Sequence, residues 1–278
     1  MKKKKLNIGI QGIKGSYHHI VSKSYFEENF NLRECLSFDH LVREIIESKI
    51  DKGVMAIENS IAGSIIPNYA LLDQNELIII GEVYFKIDHN LMALNSQKIE
   101  QINEVYSHPM ALLQCKSFFN QYPHIRLVES DDTAYEARRI SKNNLKGIAA
   151  IASLQAAKYY NLNVLNKSIQ TIKNNITRFV IIQKKSNQIN LDKIDKASLK
   201  FILDDKRGSL AAVLNAISDC KLNLTKIQSL PVIEKPGKYA FFVDIVFNDI
   251  NDYLKAKKIL SIMASHFKVL GEYSNGLK

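Results

Sequence analysis

The hexapeptide NNITRF, Asn174–Phe179, sets a hydroxyl, a guanidinium and an aromatic ring side by side and runs directly into the apolar stretch VIIQ. Arg178 is either a surface charge at the start of a strand or, with Thr177 and Phe179, part of a group that faces a bound anion. Two other segments carry residues of compatible chemistry. AIENSIAGS brings Glu58, Asn59 and Ser60 to the carboxyl end of a strand-like run, the edge where open α/β sheets bind ligands. Asn and Ser are also ordinary turn formers, so turn chemistry by itself can account for them. YSHPMALLQC places Ser107 and His108 ahead of Pro109, which presets the first turn of a helix, with Gln114 about five residues into it.

Nearly all of these groups are neutral: Asn59, Ser60, Ser107, Gln114 and Thr177, with Arg178 the certain cation among them. Such a set suits an anionic small molecule held by hydrogen bonds, with charge shifts met by positioned neutral donors. Other chemistries fit poorly. His18 and His19 are adjacent and cannot share a helix face, and no His-x-x-x-His with a carboxylate occurs, so no metal is expected. A Gly-x-Ser-x-Gly elbow and the signatures of thiol enzymes are absent. Gly9, Gly12 and Gly15 fall at intervals of three, which fails the dinucleotide fingerprint, and no cofactor is expected. The turn they make leads into a helix beginning near Ser16; its free N–H groups can hold a carboxylate or phosphate, or the segment is simply a tight turn.

The elements that must position these residues read as an alternation. Strand-like LNIGI, ECLSF, GVMAI, ELIIIGEV, IRLVE and KGIAAIA are separated by helix-like SYHHIVSKSYFEENF, HLVREIIESK, PNYALLDQ, PMALLQCKSFFNQY, DTAYEARRIS and SLQAAKYY. This predicts parallel β-α-β units covered on both faces, with Asp131 or Asp132 as the cap of the helix DTAYEARRIS. The expected first domain runs to residue 185, an α/β body of two lobes with a cleft. A polar linker, KKSNQINLDKIDK, follows from Lys184 to Lys196. Residues 197–278 then read β-α-β-β-α-β with a Pro-Gly turn in the middle, a ferredoxin-like α+β unit.

Bulk properties narrow the classes. The chain is 46% hydrophobic and 24% charged, an ordinary globular balance for about two domains. Of the net charge of +10, four charges are the run Lys2–Lys5 and the rest are dispersed among carboxylates. That pattern attracts small anions without forming a nucleic-acid footprint, and Trp is absent. Cys35, Cys115 and Cys220 are widely spaced and odd in number, which points to a reducing cytoplasm. No apolar run has the length of a membrane span, so a soluble intracellular protein is expected.

Taken in order, QGIKGSYHH, GVMAIENSIAGS, VYSHPMALLQC, DDTAYEA, GIAAIAS and NNITRF make the chain resemble the prephenate dehydratase family over nearly its whole length. The tail, with LNLTKIQSLP, resembles the ACT regulatory domain that binds phenylalanine in this family. The resemblance implies a two-lobed, binding-protein-like catalytic domain and loss of water and carbon dioxide from prephenate to give phenylpyruvate. It implies a catalytic role for Thr177, a substrate-binding role for Arg178 with Phe179 beside it, and places for Asn59 and Gln114 in the same pocket. Ser16, Ser60 and Ser107 are expected to help bind substrate; Glu58 and His108 are the titratable candidates for supplying a proton.

A cation clamped on the departing carboxylate would oppose its loss, so Arg178 is expected on the pyruvyl carboxylate, in the two-point geometry of a guanidinium. Departures lie mostly in the tail. The usual Pro-Ile-Glu-Asn-Ser begins here with Ala56, and the usual Glu-Ser-Arg-Pro reads Gln228-Ser229-Leu230-Pro231. Gly208, Leu210, Asn223, Leu224 and Ser229 are the effector-site candidates that the resemblance implies, in a homodimer or homotetramer. The rivals are arogenate dehydratase and a non-catalytic ligand sensor. Retention of Thr177, Asn59 and Gln114 argues against the sensor.

Overall fold

The structure is a computed structural model and describes residues 5–27, 29–185, 194–232, 235 and 237–277. Lys2–Lys4, residues 186–193 of the expected linker and Pro236 of the expected Pro-Gly turn lie outside the described residues. In chain order the strands are β1 Leu6–Gln11, β2 Phe30–Cys35, β3 Lys52–Asn59, β4 Gly63–Ser64, β5 Leu77–Lys86, β6 Asn90–Ala93, β7 Glu104–Ser107, β8 Arg126–Glu129, β9 Ile148–Ala152, β10 Asn163–Asn166, β11 Ile176–Lys184, β12 Lys196–Ile202, β13 Asn223–Pro231, β14 Tyr239–Val246 and β15 His266–Tyr273. The helices are α1 Tyr17–Phe26, α2 Phe38–Ile46, α3 Ile66–Gln74, α4 Pro109–Phe119, α5 Thr133–Asn143, α6 Leu154–Tyr159, α7 Ser209–Asp219 and α8 Ile250–Met263. The chain divides into two compact units, one holding the residues up to Ile65 with Tyr84–Phe179, the other Ile66–Val83 with the residues from Val180 on.

The first unit has two lobes, each a sheet with helices. One sheet is ordered β2-β1-β3-β11, with β1 parallel to both β2 and β3. The other is ordered β10-β6-β9-β7-β8; β7 runs parallel to β8 and β9, while β6 is antiparallel to β9 and β10. The apolar run of β9 shows why this sheet is buried on both faces. Ala149 and Ile151 pack with Leu91, Val105 and Cys115 on one side, and Ala150 and Ala152 pack with Met92, Ala137 and Ile140 on the other. Small residues let α5 approach closely.

Two expectations are corrected. The strand expected over ECLSF lies earlier, at Phe30–Cys35, because Ser37 caps α2 by accepting the His40 N–H at 3.1 Å and so draws Phe38 into the helix. β6, β7 and β10 are additional strands of four residues each, too short for a period to register. Of the two candidate caps of α5, Asp132 is the one used, accepting the Tyr135 N–H at 2.7 Å.

In the second unit, β12-α7-β13-β14-α8-β15 builds a sheet ordered β13-β14-β12-β15, the split βαββαβ arrangement, with β5 parallel to β15 at its edge. Alternation along β12 sends Ala197, Leu199 and Phe201 into the core under α7 and α8. Lys196, Ser198 and Lys200 go to the opposite face and are nonetheless buried. Residues 66–83 supply their partners: Glu82 takes Lys196 at 2.9 Å and Asp73 takes Lys200. Ser198 binds Asp244 and the Tyr273 hydroxyl. Gly271 is needed where β15 meets β5, since a Cβ there would lie 2.5 Å from the Ile79 carbonyl oxygen.

Candidate active site

Thr177 enters the site from the start of β11, and the end of β3 brings Asn59 to meet it. The Asn59 side chain is oriented by its own turn: Oδ1 accepts the N–H groups of Ile61 and Ala62 at 3.0 and 2.9 Å. Its Nδ2 is thereby turned inward, donating to Thr177 Oγ1 at 2.9 Å and to Asn175 Oδ1 at 2.6 Å. Asn175, fully buried, donates from Nδ2 to Gln114 Oε1 at 2.8 Å, and His89 Nε2 lies 2.9 Å from the same oxygen. A continuous chain of neutral groups thus links His89, Gln114, Asn175, Asn59 and Thr177. Thr177 Oγ1 accepts from Asn59, so its own proton is available for donation, and the Gln114 Nε2 donors are likewise turned away from the chain. Burial lowers the His89 pKa to about 4, and no charge resides on this chain at neutral pH.

Asn59, Gln114 and Thr177, expected from the sequence, are therefore brought together. Asn175, His89 and the adjoining Tyr17 were not among the expected residues. Asn175 stood inside NNITRF and was overshadowed by its neighbours; His89 had no sequence signal tying it to Gln114, 25 positions away.

The other expected residues have different surroundings. Strand alternation puts Thr177 and Phe179 on one face of β11 and Arg178 on the other. Phe179 meets the His18 ring edge-on at 5.0 Å, and the Arg178 guanidinium, in a side chain 4% exposed, stands 6.0 Å from the Tyr84 ring centre. The serines serve backbone. Ser16 caps α1, Ser107 donates to the Ile151 carbonyl at 2.7 Å, and Ser60 Oγ accepts the Ile176 N–H at 2.9 Å. Ser60 thereby ties the end of β3 to the beginning of β11. His108 caps α4 with Nδ1 accepting the Met110 N–H at 3.2 Å, and burial lowers its pKa. Glu58 sits in register opposite Ser64 on β4.

The glycine turn after β1 is closely packed. Four of its N–H groups have partners within the protein: Gly12 with the Cys35 carbonyl, Lys14 with Glu34, Gly15 with His19 Nδ1 and Ser16 with the Ile13 carbonyl. Gly12 and Gly15 have φ of 92° and 94°, and a Cβ on either would press on Asp132 or Ala156. Among the described residues no group of three or more His, Cys, Asp or Glu could hold a metal ion, and no helix is long and apolar enough to cross a membrane. The three cysteines are free and buried.

Buried neutral imidazoles make stability depend on pH. His18, whose Nε2 accepts the Ala56 N–H, has its pKa lowered to about 3 by burial, beside about 4 for His89. Below pH ~6.5 the unfolded chain takes up protons that these folded rings refuse, so stability falls as pH drops through the window from ~6.5 towards the folded values. The expected loss between pH 7 and 5 is on the order of 1–2 kcal/mol per ring, read as a falling urea midpoint; His18→Gln should flatten that dependence.

The sequence model of the family described as Prephenate dehydratase matches residues 8–187. A bifunctional chorismate mutase/prephenate dehydratase of Buchnera aphidicola (Schizaphis graminum) is 33% identical over 267 residues, covering 94% of this chain and 69% of the relative. Arogenate dehydratase/prephenate dehydratase 2 of Arabidopsis thaliana is 33% identical over 279 residues, covering 97% and 73%. Among solved structures, a prephenate dehydratase from Arthrobacter aurescens in complex with L-Phe is similar with a TM-score of 0.88, at 22% identity, over 98% of this chain and 91% of that one.

Proposed function

Because the chain belongs to the prephenate dehydratase family, we propose that it is a lyase that removes water and carbon dioxide from prephenate to give phenylpyruvate, towards phenylalanine. The observation that carries this reading is the neutral chain ending at Thr177, whose hydroxyl accepts from Asn59 at 2.9 Å and so presents its proton outward. The reaction expels a ring hydroxyl and a carboxylate together, with aromatisation as the driving force. A positioned donor on the departing oxygen stabilises the charge that develops there, whereas a cation on the departing carboxylate would stabilise the ground state. Thr177 serves as that donor and Gln114 Nε2 as a neutral donor in the same pocket, with Glu58 or His108 as the proton source.

Arg178 supplies the positive charge for the pyruvyl carboxylate, from the face of β11 that carries Tyr84. Arg178→Lys should raise KM about tenfold or more with a smaller change in kcat, because an ammonium cannot make the paired fork. An unchanged KM would show that the substrate responds to the charge alone.

Residues 1–185 form the catalytic domain in this reading and 197–278 an ACT regulatory domain. Support comes from the βαββαβ order and from the placement of the effector candidates: Gly208 at the N-terminus of α7, Leu210 within that helix, and Asn223, Leu224 and Ser229 along β13. Phenylalanine is the proposed effector, the βαββαβ units pair into a dimer or tetramer, and three buried free thiols support a cytoplasmic setting. The test is phenylpyruvate formation from prephenate by the purified protein against the non-enzymatic background, where rapid, saturable formation is expected. The Arabidopsis relative gives arogenate a claim as second substrate. Turnover of arogenate alone would move the assignment to it, and turnover of neither would leave the sensor.

A further inference from the structure

We infer that His89 is a positioning residue for this reaction: by donating from Nε2 to Gln114 Oε1 it holds the Gln114 amide so that its Nε2 donors are aimed away from the chain and into the site. The inference rests on the functional reading above and extends it to a residue that touches none of the reacting atoms.

The amide chain has two ends: one sets its polarity, and the other must be held in place. At one end the Ile61 and Ala62 N–H groups hold Asn59 Oδ1. That turns Asn175 Nδ2 towards Gln114, which must answer with Oε1, but this one hydrogen bond leaves the rest of the Gln114 amide free to swing. His89 removes that freedom. A proton on Nε2 satisfies Gln114 Oε1 at 2.9 Å and leaves the lone pair on Nδ1, 3.4 Å from the Tyr17 oxygen, whose own proton goes to the Asp88 carbonyl. With the proton on Nδ1 instead, two lone pairs would oppose each other at Gln114. A compensating flip of Gln114 would set its N–H groups against those of Asn175, whose Oδ1 is already committed to Asn59 at 2.6 Å.

The histidine is itself braced. Its backbone N–H donates to Gln170 Oε1 at 2.9 Å, and Gln170 Nε2 donates to Asp88 Oδ1 at 2.9 Å. The Tyr17 hydroxyl donates to the Asp88 carbonyl at 2.7 Å, and the Ile87 N–H to the Asn175 carbonyl at 2.7 Å. Segments 87–90 and 168–175 thus grip each other directly beneath the site. Burial keeps the ring neutral, so one ring nitrogen carries the proton and the other a lone pair.

Two measurements test this. In 15N-labelled protein the His89 ring should show the Nε2–H tautomer from pH 6 to 9; an Nδ1–H tautomer overturns the inference whatever the enzyme turns over. In prephenate assays, His89→Gln, whose amide nitrogen falls near the Nε2 position, should retain most of kcat. His89→Asn, which reaches only the Nδ1 position, and His89→Leu should lose about ten- to a hundredfold in kcat with KM little changed, the scale of a misdirected catalytic group. A wild-type protein that turns over prephenate while the Gln and Asn variants behave alike overturns the positioning role. A wild-type protein without turnover overturns the functional reading instead, and the tautomer still decides what His89 does.

Discussion

Thr177→Val is expected to turn prephenate over about 100- to 1,000-fold more slowly than the wild type, with KM nearly unchanged. Valine keeps the branched shape of threonine and removes only the hydroxyl, so the loss reports the donor. The Asn59 Nδ2 group retains Asn175 Oδ1 as a partner at 2.6 Å, so the amide chain survives the replacement. Stability should drop by only about 1–2 kcal/mol, the cost of one unmade buried hydrogen bond. Thr177→Ser should recover most of kcat because it restores a hydroxyl that can accept from Asn59 and donate outward. Steady-state assays of the two variants check this, and a Thr177→Val enzyme with wild-type kcat would remove the hydroxyl from the mechanism.

The second large effect concerns the other unit. Lys196 and Glu82 form an ion pair in which the side chains are 2% and 0% exposed, and Glu82 also accepts the Gly276 N–H at 3.0 Å. Lys196→Met or Glu82→Leu alone leaves a buried charge without its counter-charge and should cost about 3–5 kcal/mol. Combining the two replaces the pair by apolar groups of comparable size and should return most of that loss. Urea unfolding of the wild type, both single variants and the double variant checks it; additive losses would mean that the two charges do not depend on each other. The pair joins residues 66–83 to the βαββαβ sheet, so the single variants should loosen that attachment first.

Much of the architecture was legible because burial leaves a periodic trace. The run IAAIA is apolar throughout because β9 is covered on both faces, and Asp132 announces α5 because a short oxygen-bearing side chain completes the first turn. β2 was misplaced since Asn31, Arg33 and Glu34 interrupt it with exposed polar residues at a sheet edge, and β6, β7 and β10 have only four residues each. At the site, residue type singled out Thr177, Asn59 and Gln114, whereas strand alternation turns Thr177 and Arg178, expected to face one anion together, to opposite faces of β11.

Which atoms do the work was decided only by the tertiary structure. An asparagine or glutamine carries a donor and an acceptor on one flat group, and the sequence does not say which end a neighbour sees. Asn59 donates to Thr177 because the Ile61 and Ala62 N–H groups occupy its oxygen, and Gln114 offers its nitrogen because Asn175 and His89 occupy its oxygen. Ser16, Ser60 and Ser107, equally plausible by type, are committed to backbone groups that lie beside them only in the folded chain. Composition and order thus determined the family and the stock of polar groups; hydrogen-bond direction, which depends on contacts between residues as far apart as Asn59 and Thr177, required the fold.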